Sequence, residues 1–228
     1  MMKNLIKITL ITIVLASLSF AGGADDPLLS KVTIDEFEYQ DNSEQNIAWD
    51  GNFWLGQDLN KLYFYSEGEK PKGAVSQSEN QLVYSRAIAS YWDIQAGVAY
   101  DKVSSSSQTW GVLAIQGLAP YFFETRGALL VGENGEVGLR LDVEYEALLT
   151  QKLILTPSLS ADLYSKDNLN MAYGKGLSNI TTGMRLRYEI KREFAPYVGF
   201  EWSKNFGNTA DMNLLDERYA VAGVRIWF

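Results

Sequence analysis

The chain closes with Tyr219-Ala-Val-Ala-Gly-Val-Arg-Ile-Trp-Phe228, and this stretch decides the fold class. Alternate residues of a β-strand point to opposite faces of its sheet. One face is therefore apolar and the other carries a charge: Ala220, Ala222, Val224, Ile226 and Phe228 lie on the first, and Tyr219, Val221, Gly223, Arg225 and Trp227 on the second. This pattern is typical of the closing strand of an outer-membrane barrel. An edge strand of a soluble sheet is the alternative interpretation.

The first 21 residues have the features of a signal peptide. Lys3 and Lys7 belong to a short basic leader, and a mostly apolar run follows over residues 8–20. Ser19-Phe20-Ala21 fits the small-residue rule for signal peptidase, so we expect cleavage after Ala21. The run is too short for a comfortable membrane-spanning helix. We therefore predict a signal peptide at 1–21, a short periplasmic segment at 22–30 and a barrel at 31–228.

The composition restricts the chemistry. The chain has no Cys and no His, which excludes disulfides, thiolate metal sites, imidazole ligands and Ser–His catalysis. We therefore predict that the protein is not an enzyme. After cleavage 18 basic residues stand against 28 acidic ones, a net charge of −10, and an acidic protein does not bind nucleic acid by counterion release. Hydrophobic residues form 46% of the chain while mean hydropathy is only −0.13, as expected when half of a barrel faces lipid and half a polar interior.

Period-two alternation recurs along the chain and predicts an all-β, transmembrane antiparallel barrel of about twelve strands, with ten as the alternative. Short and longer connections largely alternate, which predicts one periplasmic and one external rim in the outer membrane of a Gram-negative bacterium. The tryptophans fall near the two rims and suggest aromatic girdles: Trp92 and Trp227 near short turns, and Trp49, Trp110 and Trp202 near longer ones.

Two predicted strands carry one strongly charged face each: Arg140, Asp142, Glu144 and Glu146 on the first, and Arg185, Arg187, Glu189 and Lys191 on the second. An Arg or Lys that faces lipid at mid-depth costs roughly 2–4 kcal/mol. These faces are therefore expected to point into the lumen, where mixed charges would pair across the barrel.

Ordered strings of residues resemble the copper resistance protein B family over nearly the whole mature chain. They include Asp26-Pro-Leu-Leu-Ser-Lys-Val32, Asp58-Leu-Asn-Lys-Leu-Tyr63, Tyr84-Ser-Arg-Ala-Ile-Ala89, Gln116-Gly-Leu-Ala-Pro-Tyr121 and Arg185-Leu-Arg-Tyr-Glu-Ile-Lys-Arg-Glu-Phe-Ala-Pro-Tyr-Val-Gly199. The resemblance implies a copper-tolerance barrel that is embedded in outer-membrane lipid, handles copper ions and works beside a periplasmic multicopper oxidase.

The chain departs from the family at its N-terminus. Members often carry a Met- and His-rich extension there, whereas residues 22–25 contain neither. Thioethers suit Cu(I), and carboxylates are hard oxygen ligands that discriminate poorly among metals. Met184 is expected to pack on the lipid side. The remaining metal-ligand candidates are Asp142, Glu144, Glu146, Met171 and Met212.

The function that follows is an outer-membrane copper resistance protein that binds or passes copper ions, with copper held weakly or transiently. Two alternatives stay open. One is a general small pore without metal specificity. The other is a docking barrel for a periplasmic multicopper oxidase, with the short-turn rim and the N-terminal segment as the contact surface.

Overall fold

The computed structural model describes residues 26–71 and 77–228. The predicted signal peptide at 1–21 lies outside the described residues. Among the residues that are described, no helix has the length and apolar character needed to cross a membrane.

The chain folds into a closed antiparallel β-barrel of twelve strands, which confirms the predicted class and favours twelve strands over ten. The strands are β1 (Leu29–Gln40), β2 (Ile47–Gly56), β3 (Asn60–Lys70), β4 (Gln77–Ala89), β5 (Trp92–Val103), β6 (Ser106–Ala119), β7 (Phe123–Gly132), β8 (Val137–Tyr145, continued by Ala147–Leu148), β9 (Leu153–Tyr164), β10 (Gly176–Tyr188), β11 (Phe194–Asn205) and β12 (Asp216–Trp227). A short 3₁₀ helix, Pro120–Phe122, precedes β7, and a helix α1 (Gly207–Met212) precedes β12.

Closure of the barrel depends on the C-terminal stretch Tyr219–Phe228, most of which forms β12. Each strand pairs with its neighbours in sequence, and β12 returns to pair with β1, for example Val224 with Phe37 and Val221 with Gln40. The two-residue continuation of β8 pairs with β9 like the strand it extends, and we count both as one strand. β1 begins at Leu29, two residues before the predicted start of the barrel.

Because the number of strands is even, the start of β1 and the end of β12 lie on the same rim of the barrel. This rim carries the connections at 57–59, 90–91, 120–122, 149–152 and 189–193. The opposite rim carries the two longest connections, 165–175 and 206–215, although its turn at 104–105 has only two residues. The prediction that short turns lie on one rim and the longest loops on the other is confirmed, with the turn at 104–105 as an exception.

The wall separates apolar and ionic side chains as the alternation predicts. On β8, Leu139 is 45% exposed on the outside whereas the adjacent Arg140 is only 6% exposed. Arg185 and Arg187 of β10 are likewise buried inside, and Met184, which precedes Arg185, lies outside with 52% exposure. The outer surface therefore suits a hydrocarbon environment, and the charges occupy the lumen.

A β-bulge in β1 places two consecutive carboxylates in the lumen. The pairing of β1 with both neighbours shifts register after Ile34, so Asp35 and Glu36 both reach luminal arginines. On the facing strand β2, a Cβ atom added to Gly51 would lie 2.8 Å from the carbonyl oxygen of Thr33, so the close approach there requires glycine.

The girdle prediction is wrong for two tryptophans. Trp110 is 1% exposed and donates its indole N–H to Asp101 in the lumen at 2.7 Å. Trp227 shares the inward face with Arg225 and bonds to the carbonyl of Arg192. The faces of β6 could not be told apart by polarity, because Val112 and Ala114 inside are as apolar as the residues that face outward.

The lumen has one apolar sector beside its ionic ones. It is lined by Val83, Ala99, Trp110, Val112, Ala114, Ala128 and Leu130 of β4–β7. Met171 and Tyr173 of the connection 165–175 pack against this sector from the long-loop rim. This connection, the longest among the described residues, is thus folded partly into the barrel mouth.

Candidate functional site

Arg140 forms an ion-paired strut across the lumen near the long-loop rim. From β8 it reaches Glu79 on β4 and Asp101 on β5, the latter at 2.6 Å, although these strands are not its sheet neighbours. Asp162 on the adjacent β9 lies 3.7 Å from its Nε. Ion pairs between non-adjacent strands brace the barrel and narrow its bore.

Arg185 forms a second strut, closer to the short-turn rim. From β10 its guanidinium donates to Glu36 at 2.9 Å and Glu38 at 3.0 Å on β1, and to Glu201 on β11 at 2.8 Å. The side chain of Glu38 is 0% exposed and also accepts from Tyr197 at 2.9 Å. A buried carboxylate so fully bonded is structural, because its oxygens are already occupied.

A third group joins β12, β10, β8 and β1. Arg187 and Arg225 share one oxygen of Glu146, each at 2.7 Å. Arg225 also donates to Asp35 at 2.9 Å, and Asn52 donates to the other oxygen of Asp35 at 3.2 Å. The remaining inward arginine, Arg126, donates to the neutral amides of Gln81 and Gln95.

Several further luminal carboxylates form no ion pair with a described Lys or Arg, among them Asp50, Glu67, Glu124, Asp142 and Glu144. Two pairs of them are direct cross-strand neighbours, Asp50 opposite Glu67 on β2 and β3, and Glu124 opposite Glu144 on β7 and β8. Like charges directly opposite each other are destabilising. The lumen therefore holds an acidic excess that its arginines do not neutralise.

Of the candidate ligands on β8, the structure brings Asp142 and Glu144 to this acidic sector. Both lie within electrostatic reach of Asp50. Glu146 lies on the same inward face, but its carboxylate is shared by Arg187 and Arg225. Removing Glu146 would therefore break two ion pairs, whereas Asp142 and Glu144 are free of such partners among the described residues.

The two methionine candidates occupy different environments. Met171 is buried under Tyr173 in the apolar cluster, and Met212 is 36% exposed at the end of α1. The loop that carries Met171 is tied to the segment of α1 by the bond from the Gly174 amide to Thr209 at 2.7 Å. This packing explains Met171 without a metal.

The same loop holds two groups with shifted pKa values. Burial raises the pKa of the Tyr173 hydroxyl, which bonds to Glu136 at 2.9 Å. The backbone amide of Lys175 and the side chain of Asn208 bond to Asp167 and lower the pKa of its carboxyl. At neutral pH Tyr173 is therefore neutral and Asp167 ionised, which keeps these bonds in place.

Sequence reasoning missed Asp50, Glu67 and Glu124 as members of the acidic sector. Their signal was present, since each occupies an inward position of its strand, but neighbours across the lumen cannot be read from one strand. In residues 26–71 and 77–228, no three acidic side chains converge closely enough to form a ready-made metal site. A cation in this lumen would be held loosely.

Comparison with solved structures shows the fold alone. The match to a structure of the NanC porin covers 86% of this chain and 98% of the porin chain, with a TM-score of 0.54 and 12% sequence identity. This similarity agrees with the closed barrel.

Comparison with sequences is more specific. The family described as copper resistance protein B precursor matches residues 28–228. Copper resistance protein B of Escherichia coli is 40% identical over 203 residues, which cover 86% of this chain and 69% of that protein. The copper resistance protein B homolog of Pseudomonas syringae pv. tomato (strain ATCC BAA-871 / DC3000) is 36% identical over 210 residues, 90% of this chain and 71% of that protein. The chain described here belongs to the copper resistance protein B family.

Proposed function

We propose that this protein is an outer-membrane copper resistance barrel that takes copper ions into its acidic lumen and holds them weakly there or passes them on. Family membership supports the copper resistance role. The single observation that carries the luminal part is the acidic sector of Asp50, Glu67, Glu124, Asp142 and Glu144, which have no ion-paired partners among the described residues. In this proposal the short-turn rim faces the periplasm, and the protein carries out no catalysis.

The chemistry of the lumen fits a transient cargo. Carboxylate oxygens bind divalent cations, and Irving–Williams order favours Cu²⁺ over the other first-row ions at such ligands. Low-dielectric walls lined by one sign of charge also raise the local concentration of counter-ions. Asp142 and Glu144 remain the proposed copper contacts on β8, and Met171 and Met212 are secondary candidates at the mouth.

Growth of a deletion strain on graded copper tests this proposal. The strain is complemented with the wild type, with Asp142→Asn combined with Glu144→Gln, or with Asp211→Asn on exposed α1 as the matched control. Glu146 is left unchanged because it holds Arg187 and Arg225. Barrel folding is monitored by the heat-modifiable mobility of each variant on gels.

The wild type and Asp211→Asn are expected to restore copper tolerance, and the double variant to restore it poorly at equal levels of folded barrel. Full rescue by the double variant would overturn the role of the β8 carboxylates. Equal conductance for copper, potassium and chloride in planar bilayers, without rescue of copper tolerance, would favour the general pore instead. Copurification with a multicopper oxidase, with rescue independent of the luminal residues, would favour the docking barrel.

A further inference from the structure

A cavity of about 140 Å³ lies in the lumen, lined by Arg185 of the second strut and by Arg187 and Arg225 of the third group. Its charged lining consists of five carboxylates and three arginines, so its fixed net charge is −2 when all are ionised. Arg185, Arg187 and Arg225 are all engaged in ion pairs with carboxylates. The lining therefore offers no unpaired guanidinium to an anion, and its electrostatic preference is for a cation.

Three of the lining carboxylates lack an ion-paired partner among the described residues: Asp50, Glu124 and Glu144. Glu124 and Glu144 face each other directly across β7 and β8. Such a like-charge pair lowers stability unless a positive charge lies between or beside its members.

A second observation is independent of charge. Thr156 of β9 lines the same cavity, is 6% exposed, and its hydroxyl has no hydrogen-bond partner within the described part of the chain. A buried hydroxyl without a partner costs roughly 1–3 kcal/mol, so such groups normally meet an ordered water. The cavity is several times the ~30 Å³ that a water molecule takes in the liquid.

We infer that this cavity is a resting site for one hydrated divalent cation, held by Asp50, Glu124 and Glu144 through its water shell, with Thr156 bonded to one of those waters. The inference rests on the proposed function in taking Cu²⁺ as the natural occupant. The ion keeps its waters because no three acidic side chains of the described residues converge to coordinate it directly. Outer-sphere binding neutralises the facing carboxylates and still permits release, as passage through a lumen requires.

Titration of the folded full-length barrel in detergent micelles tests the site, with Mn²⁺ followed by electron paramagnetic resonance and Cu²⁺ followed by calorimetry. Thr156→Val removes the hydroxyl at constant shape, and Glu124→Gln combined with Glu144→Gln removes two charges. Asp93→Asn is the matched control, because Asp93 is a carboxylate on the inward face of β5, bonded to Ser85 and outside the cavity lining.

One ion per barrel is expected for the wild type, with water-proton relaxation showing that bound Mn²⁺ keeps exchangeable waters. The double variant should bind at least about tenfold more weakly and Thr156→Val about threefold more weakly, while Asp93→Asn changes affinity less than about twofold. No bound ion in the wild type, or equal losses in Asp93→Asn and the double variant, would overturn the site. Thr156→Val keeps every charge, so it tests the site even where the double variant folds poorly.

The site and the proposed function fail separately. One-ion binding that follows this variant order, in a barrel that gives no copper tolerance to the deletion strain, would support the site and refute the proposed function. Copper tolerance without one-ion binding would refute the site and leave the proposed function in place.

Discussion

Replacing Arg185 by methionine removes the cation that holds three carboxylates together. Glu36, Glu38 and Glu201 lie at 2.8–3.0 Å from its nitrogens, and the side chain of Glu38 is 0% exposed. Methionine keeps most of the volume, so the main effect is electrostatic. Breaking a buried ion pair by removing one partner costs about 3–5 kcal/mol. Because three acids lose their partner at once, the upper part of this range is expected.

Urea unfolding of the barrel in lipid vesicles, followed by tryptophan fluorescence, measures the loss. The expected result is a lower unfolding midpoint at an unchanged slope, since the surface exposed on unfolding stays the same. Lys204→Met is the matched control. It breaks the ion pair between Lys204 and Asp216, whose side chains are 36% and 42% exposed respectively. Because this pair is exposed to solvent, its loss should cost less than about 1 kcal/mol.

A triple variant separates charge from packing. Arg185→Met combined with Glu38→Gln and Glu201→Gln removes the arginine together with two of its acids, so roughly half of the lost stability should return. Equal destabilisation by Arg185→Met and Lys204→Met would refute the view that luminal struts stabilise the barrel. Failure of the triple variant to recover any stability would show that the loss comes from packing.

Three other changes test the fold and the loop. Val98→Arg, on the outer face in the middle of β5, should destabilise the folded barrel in vesicles by roughly 2–4 kcal/mol, whereas Tyr91→Arg at the short-turn rim should cost less than about 1 kcal/mol in the same urea titration. Gly97→Ala should lower folding yield strongly, because its Cβ would lie 2.1 Å from the Leu82 carbonyl oxygen, while Gly111→Ala, with its nearest atom at 3.7 Å, should fold normally on gels. Burial raises the pKa of Tyr173 above 10.0. The stability gained by keeping its hydroxyl protonated is therefore complete below that pH and is lost as the pH rises through the pKa of the folded state. Tyrosinate absorbance of the wild type against Tyr173→Phe should show this late titration.

The sequence allowed the barrel, its strand number and the faces of most strands to be predicted. On β8 and β10 the alternation of aliphatic and charged residues left a single physical solution, because charges cannot face the hydrocarbon at low cost. On β6 both faces are apolar, so parity gave no information on which way Trp110 points, and its place in a girdle was predicted wrongly. An apolar luminal sector is invisible to a rule that equates apolar with outward.

The alternation of side chains along β1 is interrupted for a local reason. Its bulge puts Asp35 and Glu36 on the same side of the sheet, which interrupts the period of two that identifies strands. The bulge serves the ion pairs of the lumen, because it lets each of the two carboxylates bind a different arginine. Irregular alternation in an otherwise regular barrel sequence thus indicated a place where the lumen needs two adjacent charges.

The candidate site was only half visible because it is made by pairs across the lumen. Asp142 and Glu144 were found by their alternation on one strand, but which acids are neutralised depends on where Arg185, Arg187 and Arg225 point. That information resides in the closure of the barrel and cannot be read from any single strand.

Stability alone does not explain the acidic sector. Every carboxylate bonded to Arg185 contributes to bracing the barrel, and its removal is expected to cost free energy. Glu124 and Glu144 do the opposite, because they face each other without a cation, so Glu144→Gln should raise the urea midpoint in metal-free buffer. A residue whose neutral isostere makes the barrel more stable is kept for something other than folding. If Glu144→Gln stabilises the metal-free barrel and added Mn²⁺ stabilises only the wild type, the charge serves a cation; if the variant is less stable under both conditions, Glu144 belongs with the structural ion pairs.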